Sequence, residues 1–165
     1  MRVSRLWLPL VAACLAAAAP APLDNGFHRI DHGRVTRAAF PEEARTVAVY
    51  YGASWCGPCR VFVPELAAAY PHLRARGIEV VFVSDDASCA AALDYARTSR
   101  MPWLLLPCDH ERRRRLRALG GAALPGLVTL DRTGRLTGTS WHPDGSSAPR
   151  RMLKALLSAQ PLGQS

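Results

Sequence analysis

Short apolar runs alternate along this chain with longer segments whose apolar residues recur at helical spacing. The runs are rich in β-branched and aromatic residues, which predicts buried strands. The predicted strands cover residues 46–51, 78–83, 103–106, 127–130 and 135–139, with an edge strand or hairpin around 27–35. The predicted helices cover residues 59–76, 87–98, 110–119 and 149–157. Strands that alternate with helices predict a three-layer α/β domain whose central part is mostly parallel.

Polar residues and one glycine mark where these helices are expected to begin and end. Gly77 lies where a C-terminal capping glycine is expected after the first helix. The cluster Ser84, Asp85 and Asp86 is expected to cap the second helix, and Asp109 the third.

The length and composition narrow the class of protein further. A chain of 165 residues can build one domain with a proper core but not two full domains. Its apolar share of 49% and charged share of 21% exclude a disordered or collagen-like chain.

The formal charge is +8, and the densest basic run is Arg112 to Arg115 with Arg117. We interpret this run as a solvated helix face, with a docking surface for an acidic partner or lipid headgroups as the alternative. Because interleaved aromatic residues are absent from it, nucleic acid is not an expected partner.

Residues 1–21 are predicted to be a secretory signal peptide. Arg2 and Arg5 precede the apolar stretch 6–19, which has the length of a signal and is short for a membrane span. We therefore expect export to the periplasm of a Gram-negative bacterium, with 22–165 as one domain whose core covers about 46–157. An uncleaved N-terminal anchor and lipidation of Cys14 are the alternatives.

The pair Cys56 and Cys59 carries the chemistry that the sequence predicts. Two intervening residues let both sulfurs meet across the first turn of the following helix, where they can exchange a disulfide. At the helix N-terminus the dipole stabilises a thiolate on Cys56, the expected nucleophile, and Pro58 fits the first turn. Cys59 lies further inside and is expected to resolve the mixed disulfide. A structural disulfide or half of a zinc site is the alternative, but no second C-x-x-C pair is present, so no metal is predicted.

The segment WCGPC at residues 55–59 is identical to the thioredoxin active-site motif, and the chain resembles that family. Leu124-Pro125 resembles the cis-proline loop of the family, and the segments 80–86 and 101–107 are similar to the nucleoredoxin and tryparedoxin branch. The resemblance implies a thioredoxin fold, in which helices flank a central mixed sheet. It also implies that Trp55, Gly57 and Pro58 tune the cysteine pair and that Pro125 shapes a substrate groove.

Three residues or pairs depart from the patterns of these relatives. Gly57-Pro58 stands where the nucleoredoxin branch has two prolines, Tyr50 where thioredoxin has a buried acid, and Gly126 where threonine is common. Without the acid, proton transfer at Cys59 must use another group or water.

The resemblance implies a thiol–disulfide oxidoreductase that needs no bound cofactor, and the predicted signal peptide makes it an exported one. Gly57-Pro58 is similar to the reducing members, which favours the reduction of protein disulfides. Electrons are then expected from a membrane or soluble redox partner, and the chain is expected to be a monomer. A disulfide oxidant or isomerase is the first alternative, and a non-catalytic module that binds metal or a partner is the second.

Cys89 and Cys108 lie outside this motif. Cys89 opens the predicted helix 87–98, and Cys108 follows the predicted strand 103–106. If that strand runs parallel to 78–83, both cysteines lie at the same sheet edge, where a second disulfide is possible. Two buried free thiols are the alternative.

Overall fold

The computed structural model describes residues 26–158, which form one seven-stranded mixed sheet with helices on both faces. The strands are β1 (Phe27–Asp31), β2 (Arg34–Ala38), β3 (Thr46–Gly52), β4 (Ile78–Ser84), β5 (Leu104–Leu105), β6 (Gly126–Asp131) and β7 (Leu136–Thr139). The helices are α1 (Gly57–Ala75), α2 (Cys89–Thr98), α3 (Arg112–Arg117) and α4 (Pro149–Ser158). The predicted signal peptide and Cys14 lie outside the described residues, so the boundary after residue 21 stays a prediction.

The sheet has the spatial order β2-β1-β5-β4-β3-β6-β7. Strands β3, β4 and β5 are parallel, while the outer pairs on both sides are antiparallel. The prediction of an α/β fold with a mixed sheet flanked by helices is therefore confirmed. Within residues 26–158, no helix combines the length and the apolar composition that crossing a bilayer requires.

The central strands are covered on both faces because their side chains alternate between two cores. Tyr50 and Phe82 pack on the face that carries α1, α2 and α4. Val49 and Val81 pack on the opposite face, where Leu116 of α3 closes the core. Every residue of β4 is buried, as the run IEVVFV suggests for a central parallel strand.

Helix α1 is held at both ends, and this determines where its first turn lies. Cys56 is the N-cap residue, and Gly77 adopts a positive φ of 70° just beyond the helix, as predicted for a capping glycine. Near the C-terminal end, the buried carboxylate of Glu79 accepts hydrogen bonds from Tyr70 Oη (2.7 Å) and Arg74 Nη1 (2.6 Å). These bonds fasten the end of α1 to β4.

Two of the predicted helix caps are wrong. The N-cap residue of α2 is Ser88, whose Oγ accepts a hydrogen bond from the Ala91 backbone N–H (3.1 Å). Asp86 does not cap this helix because its carboxylate is engaged elsewhere, as described below. Helix α3 begins at Arg112, later than predicted, and its N-cap residue is Glu111 rather than Asp109.

Candidate active site

The candidate site lies at the carboxyl end of β3, where the chain crosses residues 53–56 and enters α1. Strands β3 and β4 are in parallel register up to the pair Gly52 and Ser84. The polar residues that follow both strands therefore meet at one edge of the sheet. Cys56 and Cys59 are joined by a disulfide at this edge.

The two cysteines differ in their access to a reaction partner. Cys56 is 5% exposed, whereas Cys59 is completely buried in the core beneath α1. Cys56 Sγ accepts a hydrogen bond from the Cys59 backbone N–H at 3.1 Å. This donor, together with the positive end of the helix dipole, stabilises negative charge on Cys56 once the disulfide is reduced. The neighbouring Trp55 is 64% exposed and presents an aromatic surface next to the pair.

The loop that contains Pro125 lies at the same end of the sheet. The Leu124–Pro125 peptide bond is cis, as predicted, and Pro125 is buried. Pro125 immediately precedes β6, which pairs with β3 in the register Gly126 to Tyr51. Because Tyr51 is near the end of β3, this pairing places the loop beside the segment that leads to Cys56.

Trp141 explains why a glycine occupies position 126. A Cβ atom on Gly126 would overlap the indole ring of Trp141. The ring is fixed by its Nε1–H, which donates to the Ala123 carbonyl (2.8 Å), and by edge contact with Tyr51 (5.2 Å between centroids). Trp141 thus takes the space that a larger residue after the cis-proline would need.

Asp86 supports the loop before the cysteines, a role that the sequence analysis missed. Its Oδ1 accepts hydrogen bonds from the backbone N–H (3.0 Å) and the hydroxyl (2.6 Å) of Ser54. Its Oδ2 accepts one from Ser84 Oγ (2.7 Å). Arg60 Nη1 donates to the Ser54 carbonyl (3.0 Å) from the helix side. The predicted parallel arrangement of β3 and β4 could have indicated this role, because it brings the residues that follow the two strands together.

Tyr50 occupies the buried position where an acid was noted as absent. Its hydroxyl has no hydrogen-bond partner within normal distance among the described residues. Burial, and then the neighbouring Tyr95, raises the pKa of Tyr50 above the ordinary value of a phenol. Tyr50 therefore keeps its proton at neutral pH and does not act as a base toward Cys59.

Cys89 and Cys108 are free thiols in this structure. Both line one cavity at the edge of the sheet, so the predicted proximity is present, whereas the disulfide between them stays a prediction. Among residues 26–158, no group of three or more His, Cys, Asp or Glu side chains is placed to hold one metal ion.

Known proteins share both the sequence pattern and the fold. The sequence model of a family described as thioredoxin-like matches residues 44–136. The tryparedoxin of Trypanosoma brucei brucei is 38% identical over 117 residues, which cover 64% of this chain and 78% of that protein. The probable nucleoredoxin 1 of Arabidopsis thaliana is 41% identical over 95 residues, which cover 56% of this chain but 16% of that longer protein. The thioredoxin structure from Wuchereria bancrofti superposes with a TM-score of 0.62 at 29% identity, over 84% of this chain and 98% of that one. These matches confirm the resemblance that the sequence motifs indicated.

We predict that Asp86→Ala lowers the free energy of unfolding by about 2 kcal/mol, because it removes the buried acceptor of three hydrogen bonds. Urea denaturation of the oxidised protein measures this change. Asp85→Ala is the matched control, since Asp85 is a partly exposed partner of Arg117 and its loss should cost less than about 1 kcal/mol. Equal losses in the two variants would contradict the role assigned to Asp86.

We predict that Gly126→Ala destabilises the protein by about 1–3 kcal/mol, because the added methyl group overpacks the site against Trp141. The same substitution in a Trp141→Ala background should cost clearly less, since the clashing ring is gone. A double-mutant cycle from thermal unfolding measures this coupling. Additive losses would show that Trp141 does not explain the glycine.

Proposed function

The chain belongs to the thioredoxin-like family, and on that premise we propose that it is an exported thiol–disulfide oxidoreductase. Its proposed activity is the reduction of disulfides in other proteins. The observation that carries the proposal is the Cys56–Cys59 disulfide at the N-terminus of α1, with Cys56 as the N-cap residue. The names of the relatives, tryparedoxin and nucleoredoxin, support the same chemistry.

The first step is the attack of the Cys56 thiolate on a substrate disulfide. A bond forms between Cys56 Sγ and one substrate sulfur, and the other substrate sulfur leaves as a thiolate. Cys56 is suited to this step because it is the less buried cysteine and because the Cys59 backbone N–H points at its sulfur. The exposed Trp55 and the cis-proline loop flank the site where the substrate chain would lie.

The second step is the attack of Cys59 on the mixed disulfide. Cys59 loses its proton and attacks Cys56 Sγ, which releases the second substrate sulfur as a thiolate and restores the Cys56–Cys59 disulfide. Two electrons have then passed from the cysteine pair to the substrate, and the substrate thiolates take up two protons. Since Tyr50 keeps its own proton, the proton of Cys59 passes to water or to the departing thiolate.

The direction of electron flow rests on the residues between the cysteines. Gly57-Pro58 is the pair found in reducing members of the family, which supports a reductase over an oxidant or isomerase. Each turnover leaves an oxidised pair, so a membrane or soluble redox partner must supply two electrons. The proposed form is a monomer, and its proposed substrates are protein disulfides.

We predict that Cys59→Ser traps a substrate as a stable mixed disulfide. The serine hydroxyl cannot displace the substrate, so an adduct with insulin, used with its native disulfides intact, should persist on Cys56. Non-reducing electrophoresis and mass spectrometry of the tryptic peptide 46–60 would locate it. Cys56→Ser is the matched control and should give no adduct on this peptide, because Cys59 is buried. Adducts on neither variant, or through Cys59 alone, would contradict the proposed roles.

We predict that the mature protein lacks residues 1–21. The full chain, produced in a Gram-negative host and purified from the periplasm, should have the intact mass of a chain that begins at residue 22. A lipid adduct on Cys14 would instead indicate the lipoprotein, and an unprocessed cytoplasmic chain would contradict export.

A further inference from the structure

Strands β4 and β5 bring Cys89 and Cys108 to one edge of the sheet. The two strands are parallel, with Val81 opposite Leu104 and Phe82 opposite Leu105. The pairing continues beyond β5, because the Leu106 backbone N–H donates to the Phe82 carbonyl at 2.9 Å. The chain after each strand therefore leaves the sheet at the same edge. Cys89 is the first residue of α2, which follows β4, and Cys108 lies just after β5.

The two side chains share one cavity of about 210 Å³. Most of its remaining wall is apolar and includes Phe82, Leu93 and Leu105. The two thiols also influence each other, because burial and then the interaction with Cys89 raise the pKa of Cys108 to about 11. Because both thiols line the same small cavity, a bond between their sulfurs needs no rearrangement of the sheet.

The exposure of the two cysteines differs in the way that a stepwise oxidation requires. Cys89 is exposed, so a small disulfide in solution reaches its sulfur directly. Cys108 is half-buried and lines the same cavity. Cys108 keeps its proton at neutral pH, so it does not react first but remains next to any adduct that forms on Cys89.

From this geometry we propose that Cys89 and Cys108 form a second thiol–disulfide site, whose oxidant is a low-molecular-weight disulfide such as oxidised glutathione. This site is separate from Cys56 and Cys59 and goes beyond the function proposed above. The thiolate of Cys89 attacks one sulfur of the small disulfide, and the other sulfur leaves as a thiolate. Cys108 then loses its proton and attacks Cys89 Sγ, which releases the second small thiol. Two electrons pass to the small disulfide, which becomes two thiols, and Cys89 and Cys108 become bonded.

The product would connect the first residue of α2 to the segment after β5 across the mouth of the cavity. The same edge of the sheet carries the Cys56–Cys59 pair after β3, because β3 and β4 are parallel. Oxidation of the second site would therefore tie the start of α2, which closely follows Asp86 and its bonds to Ser54, to the segment after β5.

Peptide mapping of the full chain across a glutathione redox series tests the proposal. The reduced protein is equilibrated at increasing ratios of oxidised to reduced glutathione, quenched with N-ethylmaleimide and digested with trypsin without reduction. Peptide 46–60 holds Cys56 and Cys59, peptide 77–97 holds Cys89, and peptide 101–112 holds Cys108. We expect peptides 77–97 and 101–112 to become linked, with the mass of the pair less the two thiol hydrogens. Labelling of Cys89 and of Cys108 by N-ethylmaleimide should be lost with the same midpoint in the ratio of oxidised to reduced glutathione.

Three variants make the result specific to this pair. Cys108→Ser should stop at a glutathione adduct on Cys89, and Cys89→Ser should leave Cys108 open to alkylation. The double variant Cys56→Ser with Cys59→Ser should still form the link between peptides 77–97 and 101–112. This result would show that the second site works independently of the proposed reductase activity. The proposal is overturned if both thiols stay alkylatable in the wild-type chain, if each carries its own glutathione, or if the link joins peptide 46–60 instead.

Discussion

The burial of β3 on both faces, from Val47 to Gly52, is the constraint on which the rest of the structure depends. Its side chains alternate between the core under α1 and the core under α3, so neither face of the sheet can be left to water. Helices must therefore cover both faces, and the chain that leaves β3 must turn at the edge of the sheet to reach α1. Cys56 lies at this turn, as the N-cap residue of that helix. The chemistry of the pair is thus a consequence of how a central strand passes into the helix that covers it.

The polar support of the site comes from the edge of the sheet rather than from its interior. Tyr50 places a phenol in the core, where burial raises its pKa and keeps it protonated. Its ring stacks on Phe82, with 5.4 Å between the ring centroids. The buried carboxylate of Asp86 stands instead at the end of β4 and holds Ser54. The loop before the cysteines is therefore positioned by hydrogen bonds, while the core on the α1 face of the sheet is filled by aromatic packing.

The four described cysteines form two pairs that arise in different ways. Cys56 and Cys59 are three positions apart, so the first turn of α1 alone brings their sulfurs together. Cys89 and Cys108 are distant in the chain and meet only because β4 and β5 are parallel neighbours. The first pair depends on local geometry that any strand–helix turn of this kind provides. The second depends on the whole sheet, and its two thiols line one cavity that Cys89 faces as the first residue of α2.

Sequence alone determined the elements and the local motifs, because hydrophobic periodicity and short spacings act within a few residues. The order of strands and helices, the C-x-x-C pair and the capping Gly77 were predicted from such patterns, whereas the cis bond before Pro125 was predicted from the resemblance to the thioredoxin family. Only the tertiary structure decided that Asp86 binds Ser54 instead of capping α2, and that Trp141 fills the space beside Gly126. Those contacts join residues far apart in the chain, and no local pattern encodes which partner a polar or aromatic side chain meets. They are set by strand register and by the packing of loops at the sheet edge, which exist only once the fold has formed.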